Sequence, residues 1–168
     1  GSLYATLYVV FRARDGAAES IEDPRKVLVA MELLRADMAS AVVPKGVLAG
    51  AFIGEDDVNE AGREADALLL HCTASPIHRT DCAGDLRMVE IICEYDEDGQ
   101  DMVLMRRVTP NTLAATDVEP VDEVLCRNVR AFGLRYYDGV DWLDYWDSGS
   151  QDNTLPSAVE VTILLSGN

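Results

Sequence analysis

The chain has 168 residues, 48% of them hydrophobic, with 30 acids against 14 bases and a net charge of −16. That apolar content suffices for one substantial core in one domain, while a polyanion of this kind repels phosphate backbones and anionic lipid surfaces, which excludes nucleic-acid binding as a role. No apolar run approaches the roughly 18–20 residues that cross a bilayer; the longest, Leu3 to Phe11, is about half that.

The charge is unevenly placed. Residues 1–45 carry six acids and six bases, so the whole negative balance falls on residues 46–168. A neutral amino-terminal segment can lie against like segments without electrostatic penalty, which suits assembly. Gly1-Ser2 reads as an expression scar, so the natural protein is expected to begin earlier and to have lost a membrane anchor here.

Residues 1–45 are read as helix. Its first part carries an apolar stripe at Leu3, Leu7, Val10/Phe11, Ala17/Ala18 and Ile21, with Tyr4 and Tyr8 off that stripe. Asp23-Pro24 then supplies an N-cap and a first helical residue, so the helix restarts or kinks there. Its second part repeats the stripe at Val27, Met31, Leu34, Met38 and Ala41/Val42, leaving Arg25, Glu32 and Asp37 on the surface. Pro44-Lys45-Gly46 ends it.

From Val47 onward the pattern is that of strands, expected at 47–53, 66–73, 86–95, 101–109, 129–137, 141–146 and 157–165, with acidic loops at 54–65 and 114–123. Asp98-Gly99 and Asp138-Gly139 are turn signals for hairpins, since both can occupy φ > 0 positions. A long helix followed by antiparallel hairpins gives an α+β fold, the helix lying on the sheet, with residues 46–168 forming the β-rich body of one domain.

Four cysteines are compatible with two disulfides in an oxidising compartment. Cys72 and Cys82 bracket a loop containing Pro76 and form the favoured pair; Cys93 and Cys126 sit in strand-like runs that also suit buried thiols.

The carboxy-terminal stretch, YYDG…W…WD…LP.AVEVT between Arg135 and Leu165, resembles the end of the minor pseudopilin J family of type II secretion systems. The resemblance implies a pilin-like fold, a long amino-terminal helix packed on mainly antiparallel β-structure, truncated here in its membrane half. It also implies a structural role without an active site: the periplasmic domain of an inner-membrane-anchored protein in a Gram-negative bacterium. Such a protein assembles with the I-type and K-type minor pseudopilins at the pseudopilus tip. Under that reading Leu3, Leu7, Val10, Phe11, Met31, Leu34 and Met38 form the partner-binding surface. A minor pilin of a type IV pilus shares the layout and is the nearest alternative.

Constellations of chemically active residue types are weaker signals. His71, Cys72, His78 and Cys82 have zinc-ligand types, but neighbours on a strand point to opposite faces and cannot share one ion. The acids from Asp96 to Asp101 around Gly99 resemble a calcium loop that lacks its later bidentate glutamate and flanking helices. Alternation places Trp142, Asp144 and Trp146 on one face, an acid between two aromatic platforms, as in a secreted glycan-binding or glycan-cleaving protein. No nucleophile elbow, phosphate loop or dinucleotide fingerprint occurs. Catalytic residues, cofactors and metals are therefore not expected.

Overall fold

The computed structural model describes residues 24–42, 50–73, 86–96, 99, 101–110 and 118–166. Pro24 opens helix α1 (Pro24–Ala39), its fixed φ suiting a first turn that has no intrahelical N–H to lose. The buried residues Val27, Ala30, Met31, Leu34, Asp37 and Met38 follow the 3.6-residue period and form a single stripe facing the sheet. The helix stops where the chain begins to pair. Ser40 N donates to Ala36 O at 3.1 Å, and Val42 N donates to His71 O at 2.8 Å, which turns the chain onto the edge of the sheet.

Among the described residues eight strands follow in one antiparallel sheet: β1 (Ile53–Glu55), β2 (Ala67–Thr73), β3 (Leu86–Tyr95), β4 (Met102–Thr109), β5 (Val121–Tyr137), β6 (Trp142–Leu143), β7 (Trp146–Asp147) and β8 (Ala158–Leu165). Their order is β6-β5-β4-β3-β2-β1-β7, with β8 also on β5. The turn between β3 and β4 closes through Asp96 N to Asp101 O at 2.9 Å and Gly99 N to Asp96 O at 2.8 Å, with Gly99 at φ 66°.

The 17-residue β5 organises the sheet. On one edge it pairs β4 from Val121 to Val129 and β6 at Tyr136 and Tyr137. Between those partners, residues 64–66 fill the gap: Phe132 N donates to Glu64 O at 2.9 Å and Asp66 N to Phe132 O at 3.0 Å. Residues 64–66 lead directly into β2, so pairing runs from β5 through β4, β3 and β2 and returns to β5. The sheet is thereby nearly closed into a barrel. On its other edge β5 pairs β8 from Val129 to Tyr137.

One apolar cluster fills the space between helix and sheet. Tyr136 is its largest fully buried side chain, with Phe52 edge-on at 6.2 Å and Trp146 tilted at 6.4 Å. Gly54 is required beside that ring: a Cβ there would stand 1.9 Å from the Tyr136 hydroxyl.

This architecture overturns the α+β expectation. Among the described residues the chain is mostly β, with one helix of 16 residues and a nearly closed sheet, not a long amino-terminal helix packed on a sheet. The acidic segment read as loop up to residue 123 starts β5 instead, because its acids are neutralised across the ladder: Arg107 Nε meets Asp122 at 2.7 Å and Arg106 Nη1 meets Glu123 at 3.2 Å. Of the strand expected at 47–53, residues 47–49 lie outside the described ones, 50–52 are not strand, and Ile53 opens β1, which runs on to Glu55.

Candidate functional site

Two features of the helix–sheet unit bear on function: a buried ion cluster that fixes α1, and the apolar surface that α1 leaves exposed. Asp37 is 2% exposed and takes Arg106 in a two-point grip, Nε to Oδ2 at 2.6 Å and Nη2 to Oδ1 at 2.8 Å. Arg87 adds Nη2 to Oδ1 at 3.3 Å, while its Nε points at Cys72 Sγ, also at 3.3 Å. Burial works to lower the Arg106 guanidinium, but the Asp37 bonds and the nearby Glu123 charge outweigh it and hold the group above its ordinary range. One helical carboxylate thus ties α1 to both β3 and β4.

The sequence expectation placed Asp37 on the surface. It lies three residues after Leu34 and one before Met38, squarely within the apolar stripe, and that spacing was the signal that it faces inward.

A second buried carboxylate holds the closing seam. Asp66, 3% exposed, accepts from Leu134 N at 2.6 Å and from Asp57 N at 3.0 Å. Burial raises its pKa to about 6, against the lowering effect of those two amides, with Asp56 and Glu64 adding to the rise. Nearby, burial and the Asp66 charge push the Cys93 thiol up to about 12 and lift the Tyr136 phenol well above its usual range. The Tyr136 hydroxyl is buried without a hydrogen-bond partner.

The residues expected to bind partners divide into two groups. Leu3, Leu7, Val10 and Phe11 lie outside the described residues. Met31, Leu34 and Met38 are 7%, 1% and 7% exposed and belong to the core cluster, packed against this chain's own sheet. The exposed apolar residues of α1 are Leu28 and Val29, at 61% and 59%. At 100° per residue Leu28 shares one flank with Glu32 and Arg35, and Val29 shares the opposite flank with Leu33. On β5, Val121 and Val124 are also exposed.

The chemical constellations do not assemble. Trp146 is 2% exposed, its Nε1 donating to Thr154 O at 3.1 Å, whereas Trp142 stands outside at 37% with Arg135 over its ring at 5.7 Å. Asp144 lies 3.3 Å from Arg135, so the two tryptophans do not flank it as paired platforms. The His71 ring packs on Gly50, its Nδ1 3.2 Å from Ala51 O, while Cys72 is fully buried on the next position of β2. His78 and Cys82 lie outside the described residues, so the expected Cys72–Cys82 bridge falls partly there. Among the described residues no group of three or more His, Cys, Asp or Glu side chains could hold a metal ion, and no helix is long and apolar enough to cross a membrane.

Comparison with known proteins gives two findings. The family described as type II secretion system (T2SS), protein J, matches residues 5–167. A type II secretion system protein J of Klebsiella pneumoniae is 45% identical over 47 residues, a stretch that is 28% of this chain and 22% of that protein. The match therefore spans less than a quarter of the relative's length.

Proposed function

This chain belongs to the protein J family of type II secretion systems, and from that premise we propose that it is a structural minor pseudopilin that works by contact with other minor pseudopilins, without catalysis. The carrying observation is the family match over residues 5–167. The proposed location is the periplasm, with anchoring in the inner membrane through an amino-terminal segment, and the proposed partners are the I-type and K-type subunits at the pseudopilus tip.

The chemistry of the surface supports this reading. Leu28 is a large apolar side chain on a helix flank where solvent would favour a polar one, and its burial against a partner would contribute about 1.5–3 kcal/mol. Leu3, Leu7, Val10 and Phe11 extend the proposed contact on the strength of sequence alone. Met31, Leu34 and Met38 serve that contact indirectly, by seating α1 on its sheet.

Co-elution with purified I-type and K-type subunits tests the proposal. Leu28→Asp is expected to abolish co-elution while leaving circular dichroism and melting temperature unchanged. Undiminished co-elution of a well-folded Leu28→Asp protein would remove this flank from the interface. Failure of the unaltered chain to associate with either subunit would sink the partner assignment.

A further inference from the structure

Whatever the partners are, the seam that closes the sheet has chemistry of its own. Between β1 and β2 the chain makes a small flap: Asn59 N donates to Arg63 O at 2.8 Å, Ala65 N donates to Asp57 O at 2.9 Å, and Gly62 turns the tip at φ 70°. The tip rests on β3, where the Tyr95 hydroxyl accepts from Glu60 N at 3.0 Å. The root of the flap covers β5 where neither β4 nor β6 pairs with it, between Val129 and Tyr136. Three main-chain groups of β5 are satisfied there: Phe132 N by Glu64 O, Phe132 O by Asp66 N, and Leu134 N by the Asp66 carboxylate.

Asp66 fastens both sides of the seam, since its other oxygen accepts from Asp57 N within the flap. Buried carboxylates are ordinarily paired with a cation; among the described residues no ion pair includes Asp66. From the flap itself, Asp56 and Glu64 act on it with like charge. Glu64 lies against Gly133 of β5, where a Cβ would stand 2.6 Å from its Oε2. From β3 and β5 the Cys93 thiol and the Tyr136 phenol feel the Asp66 charge, and burial keeps both protonated and neutral, so neither offsets it. Two amide bonds do not compensate for burial beside two acids, and the carboxyl keeps its proton up to a pH of about 6.

We propose that the flap is a pH-sensitive clasp: with Asp66 neutral it stays fastened to β5, and loss of the Asp66 proton to solvent loosens it and bares the Phe132–Leu134 edge of the strand. Opening places the carboxylate in water, where its charge is solvated, and draws it away from the neighbouring acids. The ladders from β2 through β3 and β4 to β5 do not run through the flap, so the opening is local. What it uncovers is a short strand edge, two N–H groups and a carbonyl without partners.

Amide hydrogen exchange of Asp66, Phe132 and Leu134, read by NMR on the isotope-labelled chain and divided by the intrinsic rate at each pH, tests the clasp. Protection of these three amides is expected to fall about hundredfold from pH 4 to 8, the ratio of the carboxyl's proton affinities in the fastened and solvated states. Low concentrations of urea should leave their exchange unchanged, because a local opening exposes little surface, whereas amides in the centre of β3 and β4 should quicken steeply. Asp66→Asn, a neutral isostere, should flatten the pH dependence of Phe132 and Leu134. Should that variant fail to fold, Asp56→Asn with Glu64→Gln, both at exposed positions, should move the midpoint of the parent profile to lower pH by removing the like charges. Protection indifferent to pH, urea dependence equal to that of the central strands, a pH dependence that survives in Asp66→Asn, or a midpoint unmoved by the double variant would each overturn the proposal.

Discussion

Removing the Asp37 carboxylate should be among the most damaging single changes in this protein. Asp37→Ala leaves Arg106, 8% exposed, beside Arg87 with, among the described residues, only Glu123 at 3.2 Å as an ion-pair partner. Breaking a buried pair from one side strands the other charge in a poor solvent, which costs about 3–5 kcal/mol. Against a total stability of about 5–15 kcal/mol that is a large fraction. At about 2–4 °C per kcal/mol for a chain of this size, the melting temperature should fall by about 6–20 °C. Urea denaturation followed by far-UV circular dichroism and by the fluorescence of buried Trp146 would measure it, with coincident transitions licensing a two-state fit. A companion variant sharpens the test. Asp37→Leu with Arg106→Met should recover most of the loss, because apolar side chains of similar volume replace buried ions at little cost. A loss for Asp37→Ala of under about 1 kcal/mol, the range of a solvated pair, would refute the buried-cluster reasoning.

Other outcomes follow from the same packing. Gly54→Ala should destabilise by at least about 1–3 kcal/mol, since its Cβ would stand 1.9 Å from the Tyr136 hydroxyl and 2.1 Å from the ring carbon behind it; Tyr136→Phe in that background should restore only part, as chemical denaturation would report. Asp66 has a folded pKa of about 6 against 3.8 unfolded, so the native state holds the extra proton between those values. Its contribution is fully present below about 4 and lost as pH rises through 6, a change of roughly 3 kcal/mol. The difference in stability between the parent and Asp66→Asn, measured from pH 4 to 8, should show that slope, and a flat difference would discard it. Trp146→Ala should cost about 3–5 kcal/mol, while Trp142→Ala, on the exposed side of its hairpin, should cost distinctly less in the same denaturation assay.

Much of the strand pattern was readable from alternation alone. The runs at 66–73, 86–95, 101–109 and 157–165 were located to within a residue, because each has a buried face and turn residues at its ends. The helix from Pro24 was legible for the same reason. The balance of the fold was not. Val121–Glu123 looks like a loop because it is acidic, and the arginines of β4 that neutralise it across the ladder are distant in sequence. Sheet closure depends on residues 64–66 meeting Phe132, a pairing that no local pattern encodes. Met31 and Leu34 were legible as an apolar stripe, but which surface the stripe covers was not, since its direction is set by the sheet beneath it. Trp146 shows the same limit: alternation gives its face, and only the packing of Phe52 and Tyr136 shows which face is interior.

The return of residues 64–66 to Phe132 also dictates a timetable. Because the amino-terminal end emerges first, the stretch before β2 has no strand to join until β5 has appeared, so the ring cannot close until most of the chain is present. Until then β2, β3 and β4 carry open borders that other nascent chains could occupy. A protein knitted in this way gains from an escort while it folds, or from rapid delivery of its last third, and shortened versions ending before Phe132 should precipitate rather than fold.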